Sequence, residues 1–181
     1  EAARMIAKSG AKPKRTILFI GFAGEEFGLL GAQAWVKAHK DKLPKIANLF
    51  NRDGGPEPPV GISVPQAMYD DFVKISEPIQ KIRPDYPFEV KVREPRKRPT
   101  RMGGTDASVF AIEGVPTLGF TTEDFKGYDF DYGEIWHTER DLYTKNIPEY
   151  QEHTATVTAI IALGVANLDK QLSREGLYTE E

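Results

Sequence analysis

The sequence predicts an α/β fold: a mostly parallel mixed sheet flanked by helices, in three layers. Two observations predict it. Short β-branched apolar runs alternate with stretches of helical period. Two of those runs also lead directly into acidic, glycine-bearing turns: residues 16–22 into Gly24-Glu25-Glu26, and residues 46–51 into Asp53-Gly54-Gly55. In open α/β sheets a ligand sits beyond the carboxyl ends of the strands. Glu25, Glu26 and Asp53 are therefore expected together at one sheet edge.

The chain opens on Glu1-Ala2-Ala3-Arg4-Met5-Ile6-Ala7-Lys8, which reads as the interior or end of a helix and leads to the expectation that sequence upstream has been removed. After a polar break at Ala11-Lys12-Pro13-Lys14, the run 16–22 reads as a strand buried on both faces. Residues 29–39 read as a helix carrying Leu29, Leu30, Trp35 and Val36, and 46–51 as a second buried strand. Residues 61–64 read as a short strand. The clearest helix covers 66–82, where Met68, Phe72, Ile75, Ile79 and Ile82 recur at steps of three or four. Residues 88–92 alternate like a strand, and 94–104 form a basic, proline-bearing loop. Asp106 is expected to cap a short helix ending near Gly114, with a strand at 117–120. Pro148 starts a last helix whose core stripe is Tyr150, Val157, Ile161, Val165 and Leu168.

Composition narrows the chemistry. With 40% hydrophobic and 28% charged residues the chain is ordinary globular material, and a net charge of -3 gives no reason to expect nucleic acid. No apolar run approaches membrane-spanning length. There is no cysteine, so a metal would be held by Asp, Glu and the three histidines, His39, His137 and His153. Residues 1–181 read as one domain.

Adjacent carboxylates in a partly buried cleft repel unless a cation or proton intervenes. A divalent metal could take one as a ligand and leave the other as a base toward metal-bound water. The plainer alternative is a solvated turn. Asp53 before Gly-Gly also suits ordinary turn chemistry, and a lone His in a loop says little by itself.

Taken in order, however, Arg15-Thr16-Ile17-Leu18-Phe19, Gly24-Glu25-Glu26-Phe27-Gly28-Leu29-Leu30-Gly31, Asp53-Gly54-Gly55, Gly103-Gly104-Thr105-Asp106, Gly114-Val115-Pro116 and His137-Thr138 with Asp141 resemble the co-catalytic di-zinc aminopeptidase family. The resemblance spans nearly the whole chain and is most like the carboxypeptidase Q-like dipeptidase branch. It implies a zinc-exopeptidase fold truncated at its N-terminus, with residues 1–181 as the C-terminal part of one catalytic domain. It implies Glu25 as general base, Glu26 and His137 on one zinc and Asp53 on the other. It implies a peptide or dipeptide substrate and an extracytoplasmic setting, with manganese or cobalt as less favoured metals. The family supplies a further His and a bridging Asp upstream of Glu1, so the isolated chain is expected to bind zinc weakly or not at all and to lack peptidase activity. Trp136 stands where some relatives carry an oxyanion-stabilising Tyr, a role an indole cannot fill in the same way. His39 and His153 are expected at the surface or in packing.

Other residues are candidates at lower rank. Asp106 either orients a metal ligand or simply caps a helix. Arg101, the last of a basic run of Arg93, Arg96, Lys97, Arg98 and Arg101 interrupted by Pro95 and Pro99, is the candidate to hold a substrate carboxylate by a two-pronged contact, the plainer alternative being a solvated loop. Phe125, Tyr128, Phe130, Tyr132 and Trp136 either line a substrate pocket or pack their loop. Asp129, Asp131 or Glu134 would meet a substrate amine. A homo-oligomer through an exposed sheet edge is also expected. Two other readings use the same fold: a glutaminyl-cyclase-like acyltransferase with a single zinc, and a non-enzymatic binding module.

Overall fold

In the computed structural model, which describes residues 1–179, the elements in order are α1 (Ala2–Lys8), α2 (Leu30–Ala38), β1 (Pro59–Val64), α3 (Tyr69–Ile82), β2 (Glu89–Val92), α4 (Ala107–Ile112), β3 (Phe120–Thr122), α5 (Tyr132–Ile135) and α6 (Pro148–Asn167). The sheet is small and mixed. Its order is β2-β1-β3, with β1 parallel to β2 and antiparallel to β3. This corrects the expected mostly parallel sheet.

The difference lies in two runs. Residues 16–22 and 46–51 are extended, yet neither forms a ladder among the described residues. Residues 46–51 are held instead by a side chain. Asn48 accepts from the Leu118 N–H at 2.8 Å and donates to the Leu118 carbonyl at 3.2 Å, and Leu49 N–H donates to the Pro116 carbonyl at 2.9 Å. Residues 16–22 leave Leu18, Phe19 and Ile20 exposed. An apolar run supplies hydrophobic side chains, but a strand also needs a hydrogen-bonding neighbour, and that is a non-local property.

The core divides in two. Ile62 and Val64 of β1 pack with Met68, Phe72, Ile75 and Ile79 on and just before α3, and with Val157, Ile161 and Val165 of α6. Gly164 permits close approach there: a Cβ on it would lie 2.4 Å from Ile75 Cγ2. The second cluster joins Ala32 and Val36 of α2 to Leu43, Val109, Phe110 and Val115. Ile46 and Leu49 pack into this second cluster while Ala47 and Phe50 pack into the first. The unladdered run 46–51 is thus the partition between two helical layers, half-buried between them rather than fully buried as its composition indicated.

The expected stripes of α3 and α6 hold at most positions; Ile82 is the exception, exposed at the helix end. The tail continues past the last helix. Leu172 and Leu177 are buried in the first cluster, and Arg174 donates to the carbonyls of Gly114, Pro44 and Ile46, strapping the two halves together. Arg15 donates to the Leu168 and Ala166 carbonyls at the C-terminal end of α6, where a cation is favoured. Among the described residues no helix is long and apolar enough to cross a membrane.

Candidate metal centre and cleft

Three loops build the site. The first follows residues 16–22. Leu30 N–H returns to the Gly24 carbonyl and Gly31 N–H to the Ala23 carbonyl, folding Glu25 and Glu26 back against the start of α2. The fold-back is tight: a Cβ at Gly31 would lie 2.6 Å from the Ala23 oxygen. Leu29 takes a left-handed φ of 61°, a conformation that costs a branched residue about 1 kcal/mol or more. Its burial in the α2 cluster holds it there. The second loop carries Asp53 beyond the extended run 46–51. The third is the turn after α5, a helix not foreseen from the sequence. Asp131 caps it by accepting from Gly133 N–H at 2.8 Å. Thr138 closes the turn by donating through its hydroxyl to the Glu134 carbonyl at 2.9 Å, and His137 sits at φ 55° between these ties.

The three loops face one open cleft of about 590 Å³ whose lining includes Glu25, Glu26, Asp53, Trp136 and His137. The His137 imidazole Nε2 donates to Glu26 Oε1 at 3.0 Å. The Trp136 ring lies over the imidazole at 4.5 Å. Burial pushes the Glu25 carboxyl above its usual range, and the like charges of Asp53, Glu26 and Asp106 add to this against the pull of His137. The four acids and His137 therefore share one field, although 111 sequence positions separate Glu26 from His137.

Asp106 corrects one expectation. It occupies the N-cap position of α4 but makes no capping bond there; Thr105 Oγ1 accepts the Ala107 N–H instead, at 3.3 Å. The Asp106 side chain is buried with Oδ1 unpartnered, and burial first, then the charge of Asp53, pushes its carboxyl above the usual range.

Arg101 is exposed and does not line the cleft. Its neighbours in the basic loop are committed to the fold: Arg98 donates to the Ile112 carbonyl and Arg96 to Thr117. His153 is fully buried, stacked on Tyr86 at 3.9 Å and donating through Nε2 to the Pro59 carbonyl at 3.0 Å. His39 stacks on Trp35. Both are packing residues.

The aromatics divide between the two roles proposed for them. Phe125 packs against Tyr86 and Tyr150. Tyr132 and Trp136 line the cleft, and Tyr128 and Phe130 line an adjoining hollow of about 470 Å³. Asp129, Asp131 and Glu134 line that hollow too, with Glu149. Hydrogen bonds from Lys126 first, then Tyr128 and Tyr86, hold Glu149 down at about 2. The hollow and the cleft share Ile135, Lys145 and Asn146. Sequence reasoning passed over Tyr143, Lys145, Asn146 and Gln151. They lie in or next to an aperiodic stretch, and only its proximity to His137 could have flagged it.

Zinc suits carboxylate and imidazole donors. Two donors on one tetrahedral zinc at about 2.0 Å each would stand about 3.3 Å apart, close to the Glu26–His137 separation of 3.0 Å. The pair fits one ion in type and spacing. In number the set falls short, since among the described residues no three of His, Asp and Glu converge on one point.

Comparison with known proteins places this architecture in a class. The chain belongs to Peptidase family M28, a metallopeptidase family that implies zinc, whose model matches residues 1–161. A crystal structure of a peptidase M28 precursor from Shewanella amazonensis superposes with a TM-score of 0.72 at 26% identity, covering 95% of this chain and 36% of that one. The Legionella pneumophila LapA aminopeptidase structure shares the fold with a TM-score of 0.63 at 20% identity, covering 93% of this chain and 44% of that one. Carboxypeptidase Q of Mus musculus is 24% identical over 179 residues, which is 96% of this chain and 34% of that protein. The chain thus spans about a third of the length of the curated relatives it matches.

Proposed function

We propose that this chain supplies the general base and three metal ligands of a zinc exopeptidase, an aminopeptidase or dipeptidase, as the C-terminal part of its catalytic domain. One observation carries the reading: Glu25, Glu26, Asp53 and His137, from three loops far apart in sequence, line a single cleft. Glu26 and His137 would hold one ion and Asp53 a second. The ions, when bound, supply an activated water and polarise the scissile carbonyl. Glu25 takes a proton on its carboxylate and releases it to the leaving amine, a role that its place in the cleft beside Glu26 supports. Trp136 shields one face of the His137 ring and offers the substrate an apolar surface.

Two measurements test this. The dialysed chain should retain less than one zinc by elemental analysis, because its ligand set is short; two tightly held ions would contradict that shortfall. In the full catalytic domain, Glu25→Gln should abolish release of amino acids from dipeptides while zinc content stays unchanged. Undiminished hydrolysis would remove Glu25 from the role of base.

A further inference from the structure

Exopeptidases that act on dipeptides differ from general aminopeptidases in one requirement: they must recognise a carboxylate close to the scissile bond. The lining of this cleft is mostly acidic, apolar or neutral, with one exception. Lys145 is the sole Lys or Arg among the described lining residues. It is the last residue of a short 3-10 turn, Tyr143–Lys145, and its N–H donates to the Leu142 carbonyl at 2.9 Å, so its backbone is fixed beside the cleft. Its side chain is partly buried and reaches the boundary where cleft and hollow meet.

The present partner of Lys145 is replaceable. Nζ lies 3.4 Å from Glu134 Oε2, a loose contact. Glu134 is shared with Arg140, whose Nη1 lies 3.8 Å from the other carboxylate oxygen. Lys145 can therefore turn to an incoming anion without leaving Glu134 unpaired. Asn146 and Gln151 place amide groups on the same lining. Arg101 has no comparable position, being exposed and outside the cleft.

We propose that Lys145 is the anchor for the C-terminal carboxylate of a dipeptide substrate, which makes the site a dipeptidase site. The inference rests on the exopeptidase reading and names the substrate class of that same cleft. A lysine is a flexible point charge with three donors, so it tolerates different C-terminal side chains while requiring the carboxylate.

The test uses the metal-free 181-residue chain, so that no hydrolysis intervenes. Three probes are titrated by calorimetry: Leu-Phe, Leu-Phe amide and Leu-Asp amide. The chain should bind Leu-Phe about tenfold more tightly than its amide, the lower end for a charge-assisted hydrogen bond at a partly exposed site. Lys145→Met should erase that ratio by weakening Leu-Phe alone, and Lys145→Arg should retain most of it. On binding Leu-Phe, the Lys145 Nζ resonance should shift while those of Lys97 and Lys126 stay in place. Equal binding of Leu-Phe and its amide overturns the anchor, as does a ratio that survives Lys145→Met. Leu-Asp amide binding as tightly as Leu-Phe would assign Lys145 to an acidic side chain and overturn the dipeptide assignment. The exopeptidase reading is judged separately, by zinc content and Glu25→Gln, so either can fail alone.

Discussion

Replacing Tyr150 with Phe isolates the device that fixes the loop between β3 and α5. Tyr150 is fully buried, and its hydroxyl makes two ties to that loop. It donates to Asp124 Oδ1 and accepts the Lys126 N–H at 3.1 Å. Asp124 also gathers the N–H groups of Tyr128 at 3.1 Å and Phe130 at 3.3 Å, so one carboxylate organises the turn and Tyr150 secures it to α6. Phe keeps the ring contacts with Tyr86, Phe125 and Tyr128 and deletes only the oxygen. The lost bond is charge-assisted, and water can reach the exposed Lys126 N–H, so the expected cost is about 2 kcal/mol. In a chain of 181 residues that corresponds to a fall in Tm of roughly 4–8 °C. The pH dependence has a definite sign. The Tyr150 hydroxyl, ahead of the backbone donors, holds the Asp124 carboxyl below its usual range. Stability from this group is present above the unfolded value of about 3.9 and is lost as pH falls through the lower folded value. The gap between wild type and Tyr150→Phe, read by calorimetric melting, should be full at pH 7 and shrink below about pH 4. An unchanged Tm at pH 7, or a gap of equal size at pH 3.5, would refute the reasoning.

Three further outcomes follow from the same structure. His153 is buried neutral, its pKa lowered first by burial, so its contribution is complete above about 6.5 and is lost as pH falls through the lower folded value. His153→Gln keeps a donor for Pro59 and cannot titrate there; it should flatten the pH dependence of urea midpoints below pH 6.5, and an unchanged profile would count against a neutral His153. Gly61→Ala would place a Cβ 2.4 Å from the Glu89 backbone oxygen across the parallel β1–β2 pair, so it should destabilise by about 1–3 kcal/mol in urea denaturation. Gly103→Ala, with nothing within 4 Å of the added Cβ, should differ from wild type by no more than about 0.5 kcal/mol.

Much of the helical framework was legible in the sequence because its determinants are local. Apolar residues at steps of three or four identified α3 and α6, and Pro148 marked the start of α6. The two apolar runs were legible as extended chain, but the burial expected of them was not realised: 46–51 is half-buried and 16–22 leaves Leu18, Phe19 and Ile20 exposed, because pairing depends on distant backbone and in 46–51 the side chain of Asn48 took the place of a ladder. At Asp106 the residue type suggested a cap, yet Thr105 one position earlier performs it. Glu25, Glu26, Asp53 and His137 were legible through their order along the chain, and the structure brings them to one cleft. Lys145 was not, because a solitary lysine outside any periodic pattern carries no local mark, and its meaning comes from being the one Lys or Arg among the described residues that line a cleft holding Glu25, Glu26, Asp53 and Asp141.

The central claim is that Glu26 and His137 form one side of a zinc site, and His137 can report on it directly. The chain has three histidines, and His39 and His153 are engaged in packing, so each imidazole can be followed by NMR during a zinc titration. Zinc should shift the His137 ring resonances in the wild-type chain, leave His39 and His153 unmoved, and lose its effect on His137 in Glu26→Gln. A His137 spectrum indifferent to zinc at millimolar concentration, or a response undiminished in Glu26→Gln, would contradict it.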